Sequence, residues 1–449
     1  MHDPISILNI LVPLITSVLG ILFGASSAFL TYRQKNKELE QQFSAQKEQL
    51  RLLSEQVEHE HLKVESELEQ IRKANLSPEE QAALTVSLLP TPNVHENLEY
   101  WSHRSPYIIG LPISDPSHYY RNKDQVKDFY GRVLGPQLNC LSILGARRSG
   151  KTSFVNLLCH PHIHHQYLIP AEIQRIVIVN INLQSGITSP ALFFRCLVLK
   201  TFEAVQKHGD PNEIRVNLPT TINEQYVTSF FKGLRENGWQ IILILDELEK
   251  MGEIDLFDTA FFDYLRSLSN DSDGKIAWVT ASYREVDKVQ CKKGKQNTSA
   301  FFNLYNQKIF LGSLSTEEAR NLICLPAKVE KKIVYQEEDI EFLIHLAGLM
   351  PFPLQASASL LYHNYTQNCR GVETHQQLGR LFAENMNKFY DHYWQHFEPT
   401  EQQVLKKLAH EKQIEASENQ FIRDLISYGF LIDSQTISSE AFRDWIRLH

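Results

Sequence analysis

Hydrophobic and polar positions change their period several times along the chain, and each change marks an element. Residues 5–30 carry no charge, and Ile5 to Gly24 is almost wholly apolar. A bilayer-spanning helix needs roughly 20 such residues. From 33 to about 75 the chain is dense in Glu, Gln and Lys without Gly or Pro, while Phe43, Leu50, Val57, Val64 and Ile71 recur at every seventh position. That repeat predicts a continuous helix with a coiled-coil seam. The companion positions Leu39, Gln46, Leu53, Glu60 and Glu67 are mostly polar. The seam is therefore weak, and a solvated stalk is the competing reading. Ser77-Pro78 opens a short helix. Prolines at 90, 92, 106, 112 and 116 then make an irregular linker over 76–117.

Beyond residue 118 short apolar runs alternate with helical periods. Strands are predicted at Cys140 to Leu144, Ile173 to Leu183, Trp239 to Leu245, Lys275 to Thr280 and Gln307 to Leu311. Helices are predicted at Lys123 to Leu134, Ser153 to Leu158, Ser189 to Lys207, Asn223 to Asn237 and Phe257 to Ser269. The 239–245 run is apolar at nearly every position, as expected of a strand buried on both faces. This alternation predicts an α/β domain over 118–315, with a parallel sheet covered by helices and right-handed crossovers. Helices at Thr316 to Leu325, Glu337 to Leu346 and Pro353 to Gln367 form a helical segment, 316–392. In the tail, 393–449, helices at Thr400 to His410 and Ser417 to Tyr428 precede two short strands, Phe430 to Ile432 and Gln435 to Ile437. A last helix, Ser438 to Arg447, completes a winged-helix pattern.

Two motifs give the α/β domain its chemistry. Gly145-Ala146-Arg147-Arg148-Ser149-Gly150-Lys151-Thr152, between a strand and a helix, fits the phosphate-binding loop G-x-x-x-x-G-K-[ST]. Its glycines let backbone N–H groups curl around phosphate oxygens. Lys151 reaches the β- and γ-phosphates, Thr152 offers a hydroxyl to Mg²⁺, and the helix that runs on through Ser153 adds its positive dipole end. The 239–245 strand ends in Asp246-Glu247. There an Asp can hold Mg²⁺ and a Glu can orient or deprotonate the attacking water. The pair predicts a nucleoside triphosphate site at the carboxyl ends of the strands, with Thr280 close by. Tyr107 to Ile113, the end of the linker, is expected to pack beside the base.

Composition bounds the rest. The 449 residues have room for two or three domains, and the net charge is −8 with no long basic run. Bulk electrostatics give no case for nucleic acid. The predicted recognition helix of the tail carries Arg423 against Glu418 and Asp424, which favours a regulatory role within the chain. Cys140, Cys159, Cys196, Cys291, Cys324 and Cys369 form no C-x-x-C pair and read as reduced, mostly buried thiols. Arg33, Lys35 and Lys37 follow the apolar segment. A retained anchor over 1–32 is thus the main reading, with the bulk of the chain on the cytoplasmic side of the inner or plasma membrane. A cleaved signal peptide, suggested by Ser26-Ser27-Ala28, competes but lacks a basic n-region.

Residues 118–449 resemble the STAND class of P-loop ATPases, and within it bacterial AAA-like proteins with paired arginines before the loop's Gly-Lys, here Arg147-Arg148. Tyr119 to Val126 is similar to the segment that opens these modules, although Arg121-Asn122 replaces its usual Gly-Arg. Leu245 to Glu249 is similar to the acidic strand end, Val279 to Arg284 to sensor 1, and Gly348 to Gln355 to the lid segment whose proline, here Pro351, packs near adenine. The resemblance implies a nucleotide-controlled switch: ADP holds lid and winged helix closed, and ATP exchange opens and oligomerises the chain. It places Arg284 at the γ-phosphate; the alternative is a surface arginine paired with Glu285 or Asp287. Arg147 and Arg148 either reach a neighbouring subunit or form structural ion pairs. Cys159 to His165 reads as a loop rather than a metal cluster, since it lacks ligands at zinc spacing.

The expected cofactors are ATP or ADP with Mg²⁺. Glu247, Lys151 and Arg284 are the catalytic candidates. Gly145, Ala146, Arg148, Ser149, Gly150, Lys151, Thr152, Ser153, Asp246 and Pro351 are the nucleotide contacts, and Thr152 and Asp246 the metal ligands. The function expected is a membrane-anchored regulatory switch with slow ATP hydrolysis, self-associating and acting on a further protein, of a kind used in bacterial signalling or defence. The alternative is a scaffold that uses ATP as a conformational ligand with negligible turnover.

Overall fold

The computed structural model describes residues 105–449 apart from 122–123, 174, 185, 209–218, 220–221, 272–273, 287–298 and 367–371. The anchor, the stalk and the first part of the linker lie outside these residues, as do Asn122, Asp287, Cys291 and Cys369. Among the described residues no helix is long and apolar enough to cross a membrane.

The α/β domain runs α1 (Asp124–Val133), β1 (Leu141–Leu144), α2 (Lys151–Leu158), α3 (Pro161–Tyr167), α4 (Pro170–Ile173), β2 (Ile176–Asn182), α5 (Pro190–His208), α6 (Glu224–Glu236), β3 (Gln240–Asp246), α7 (Glu249–Gly252), α8 (Thr259–Asn270), β4 (Ile276–Ser282) and β5 (Gln307–Phe310). The strands form one parallel sheet in the order β2-β3-β4-β1-β5. β3 is an inner strand, flanked by β2 and β4, and shows why its sequence is apolar throughout. Ile241, Leu243 and Leu245 enter the core on one face of the sheet, with Trp239, Phe262 and Trp278. Ile242 and Ile244 enter the core on the other, with Phe129, Phe154 and Ile143.

The C-terminal half is helical: α9 (Thr316–Lys331), α10 (Glu337–Ala347), α11 (Pro351–Thr366), α12 (Val372–Trp394), α13 (Pro399–Ala409), α14 (Asn419–Ser427) and α15 (Glu440–Leu448). One continuous core joins them and takes in Tyr107, Leu144 and Ala146 from the nucleotide side. The crossing from sheet to helices is tight. A Cβ on Gly312 would meet the Ser427 carbonyl at 2.5 Å, and one on Gly429, whose φ is +85°, would meet the Ser313 amide at 2.4 Å.

Several expectations change. The histidine-rich segment expected as a loop is helix α3, because His160 caps it through Nδ1 and Pro161 stands in its first turn. α9 continues past Pro326 to Lys331. The proline costs a backbone bond, but Ile323 and Ala327 are fully buried on either side of it and hold the helix on. α12 replaces an unassigned polar stretch. The tail has its three helices, but the two wing strands reduce to a single antiparallel bridge, Leu431 to Ile437. Asp433 Oδ1 closes the turn by accepting from both Gln435 N and Thr436 N at 2.8 Å, and the bridge is flanked by Ile432 N donating to Thr436 O and Ser438 N to Phe430 O, both at 2.9 Å. Cys140, Cys159, Cys196 and Cys324 are free and half-buried rather than buried.

Candidate nucleotide site

The phosphate-binding loop leaves β1 at Gly145 and enters α2 at Lys151. Gly145 N donates to Ser282 O at the end of β4, at 3.3 Å. A Cβ there would lie 2.4 Å from Ser149 Oγ and 2.7 Å from Leu311 O, so only glycine fits. Gly150 caps α2 with φ +98°, and open space surrounds its Cα where a Cβ would stand. Lys151 is 5% exposed. Its ammonium donates to the carbonyls of Gly145 at 2.9 Å and Ala146 at 3.1 Å, so the loop itself holds the cation at the helix start.

Asp246 ends β3 and is completely buried. Burial pushes its carboxyl up to about 6, against the pull of the Thr152 hydroxyl beside it. Neither of its oxygens completes a hydrogen bond of good geometry. An unsatisfied buried carboxylate next to a threonine hydroxyl is the donor set a divalent cation takes, so these two residues fit Mg²⁺. Glu247 follows in the left-handed region, φ +62°, fixed by its amide donating to Ala281 O at 2.9 Å. That turn brings Glu247 to the wall of the cavity while Asp246 stays beneath the surface.

A cavity of about 280 Å³ opens over the loop. Arg148, Ser149, Gly150, Lys151, Thr152, Ser153, Glu247 and Pro351 line it. Gly145, Ala146, Asp246 and Arg284 do not. The linker's end forms another wall, with Ile108, Gly110, Leu111, Pro112 and Ile113. Ile113 is tied to α2 on both sides: its amide donates to Ser153 Oγ at 3.0 Å, and its carbonyl accepts from Asn156 Nδ2 at 3.1 Å. Arg121, where the resemblance has glycine, is buried and donates to Gly312 O at 2.8 Å and Ser149 O at 3.2 Å. It braces loop and crossing.

Thr280 is not at the strand ends. It sits mid-strand in β4, its hydroxyl 2.9 Å from that of Ser142 in β1; Ser282 holds the strand end. Arg284 neither faces the cavity nor pairs with Glu285. Its guanidinium forks onto Glu401 of α13 at 2.9 and 2.7 Å, and also donates to His396 O. The loop arginines also turn to the helical half. The Arg148 guanidinium lies 4.3 Å over the Phe352 ring of α11. Arg147 contacts His392 Nε2, and its carbonyl accepts from Tyr393 OH at 2.9 Å. Burial, then the Arg147 charge, lowers the His392 pKa.

Gln184, Phe352 and Gln355 also line the cavity. Gln184 was legible in principle, since it follows the carboxyl end of β2. Phe352 and Gln355 fall in the Gly348 to Gln355 segment that the resemblance already brings near adenine, although neither stands among the expected contacts.

A parallel sheet with a phosphate-binding loop after one strand, an Asp-Glu at the end of an inner strand and a cavity over the loop defines a P-loop NTPase. Residues 140–413, more than half of the chain, match the family described as novel STAND NTPase 2. The chain belongs to that family. Among solved structures it is similar to the Walker-type ATPase PABY2304 of Pyrococcus abyssi, with a TM-score of 0.50 and 12% identity over 75% of this chain and 99% of that one. It is also similar to the Aeropyrum pernix ORC2 protein in its ADPNP–ADP complexes, with a TM-score of 0.43 and 9% identity over 77% and 96%. At such identities the likeness is one of fold. No curated protein matches the sequence.

Proposed function

We propose that the protein is an ATP-binding regulatory switch whose helical C-terminal half is the moving part. The observation that carries this reading is the way the two halves meet. Arg147 and Arg148 in the phosphate loop turn their side chains to α12 and α11, and Arg284, beyond the end of β4, turns its own to α13. A change in the phosphate loop therefore bears directly on two helices, α11 and α12.

In this reading the base lies between Ile108 to Ile113 and Pro351, and Lys151 with the loop amides holds the phosphates. Thr152 and Asp246 hold Mg²⁺, which would neutralise phosphate charge. Glu247, at the wall, orients water and takes its proton. With Arg284 engaged by Glu401, the γ-phosphate lacks this cation, and hydrolysis is slow. ATP in place of ADP opens the helical half and lets copies associate. The segment 1–32 anchors the chain to a membrane and 33–75 supports association, with a protein partner downstream.

Sedimentation of residues 76–449 with ADP and with a non-hydrolysable ATP analogue tests the reading. A larger or more extended species with the analogue is expected. Identical behaviour with both, at saturating ligand, would leave the scaffold alternative.

A further inference from the structure

Glu249 is a buried acid that the nucleotide site does not use as a ligand. It begins α7, three residues beyond Asp246. Its Oε1 accepts a hydrogen bond from the Tyr283 amide at 3.3 Å, across the gap between the ends of β3 and β4. Its Oε2 is buried without a partner. Buried polar atoms are ordinarily satisfied, and an exception calls for a reason. Burial pushes the carboxyl up to about 7, and the charges that act on it most are Lys151, which lowers it, and Glu247, which raises it.

The one carboxyl thus feels both the loop cation and the cavity's acid, and it holds the backbone of the residue that precedes Arg284. Tyr283 is itself faced by Arg284, Glu253 and Glu398, and its ring packs edge-on against His396 of the helical half, 4.9 Å between centroids. Arg284 then grips Glu401, whose Oε2 also accepts from the Glu398 amide at the start of α13, at 2.8 Å.

We propose that Glu249 is a positioning residue that carries the charge state of the phosphate site to the C-terminal half, by fixing through the Tyr283 amide the loop from which Arg284 holds Glu401. The physical link is electrostatic. Phosphate oxygens that engage Lys151 take away its attraction for Glu249, and they add negative charge on the side where Glu247 already repels it. A carboxylate accepts a hydrogen bond more strongly than a neutral carboxyl, so the Tyr283 contact weakens as Glu249 loses its charge. The loop, Arg284 and the start of α13 follow. This inference rests on the switch reading above.

Hydrogen exchange on the full-length chain in detergent tests it, with Mg-ADP and with Mg and a non-hydrolysable ATP analogue as probes. In the wild type, peptides covering 283–286 and 396–405 should exchange differently with the two ligands. Glu249→Ala removes the acceptor, and these peptides should lose protection with either ligand while both still bind. Glu249→Gln keeps an oxygen for the Tyr283 amide but not the charge. It should retain protection and lose the difference between ligands. A Glu249→Gln chain that responds as the wild type does would overturn the role of Glu249 and leave the switch standing. A wild type that binds both ligands and shows no difference would overturn the switch reading and this inference together.

Discussion

The Asp246 carboxyl, shut in at the end of β3 without a well-formed hydrogen bond, opposes folding whenever it is ionised. Its pKa rises from the ordinary 3.8 to about 6, mainly through burial. Between those values the native state binds the proton more tightly than the unfolded chain, so stability falls as pH rises through the window and stays lowered above it. A rise of this size corresponds to about 3 kcal/mol. In buffer free of metal and nucleotide, Asp246→Asn should therefore melt higher than the wild type at pH 8 and close to it at pH 4, while losing Mg²⁺-dependent nucleotide binding. A variant no more stable than the wild type at pH 8 would show that the acid is relieved by some other group. Lys151 stands on the opposite side of the balance, since its ammonium is already held by the loop carbonyls. Lys151→Ala should abolish the rise in melting temperature that ATP produces; a rise equal to that of the wild type would remove Lys151 from the site. Glu247→Gln keeps the shape at the cavity wall and removes the base. Binding should persist and turnover should drop by roughly 10²- to 10⁴-fold, measured as phosphate release. Unchanged turnover would assign the base elsewhere.

Between elements, the contact that matters most is the one from the end of β4 to α13. Arg284 is 14% exposed and Glu401 4%, so this ion pair is largely removed from water. Breaking a buried pair by removing one partner leaves the other charge uncompensated and costs about 3–5 kcal/mol. Arg284→Ala and Glu401→Ala should each destabilise the chain by that order, and the double variant by clearly less than the sum. Denaturant midpoints of the three variants give the coupling, and additive losses would mean that the pair does not act as a unit. The same contact shows where reading the elements from sequence fell short. Strands β1 and β3 were legible because their apolar runs are short and lead straight into loop chemistry. α12 was equally legible, since its buried positions, Leu378, Phe382, Met386, Tyr390 and Tyr393, recur every three or four residues as an amphipathic helix requires, yet it stands outside the expected helices. The helix expected over Thr316 to Leu325 runs on through Pro326 because residues on both sides of the proline, Ile323 and Ala327, are buried.

For the molecule as a whole, the expected anchor and stalk make predictions that stand apart from the nucleotide site. Deletion of residues 1–32 should move the protein from the membrane to the soluble fraction, since 5–30 is the uncharged run long enough to span. Retention after a carbonate wash would point to another attachment. A peptide of residues 33–75 should form a modest, concentration-dependent dimer in sedimentation. Its five apolar seam positions contribute roughly 1.5–3 kcal/mol for each side chain fully buried, and Glu60 and Glu67 oppose them. A helical monomer at high concentration would leave association to the ATPase half.

The sequence by itself determined the parallel sheet, the phosphate loop and the acidic strand end. Each of these depends on residues a few positions apart, whose geometry is set by backbone sterics and local hydrogen bonds. It also supported membership of the STAND class, because several short motifs come in order. It could not decide where the long charged side chains go. Arg147, Arg148 and Arg284 carry the same charge, and their neighbours in sequence do not name their partners. Whether such a group turns to phosphate, solvent or another helix depends on which partner lies within reach once the chain has closed. Only the tertiary structure brought Phe352, His392 and Glu401 to them across 117 to 245 residues of chain. Glu249 follows the same logic: an acid three residues past Asp246 reads as one more charge in a turn until β4 lays the Tyr283 amide against it.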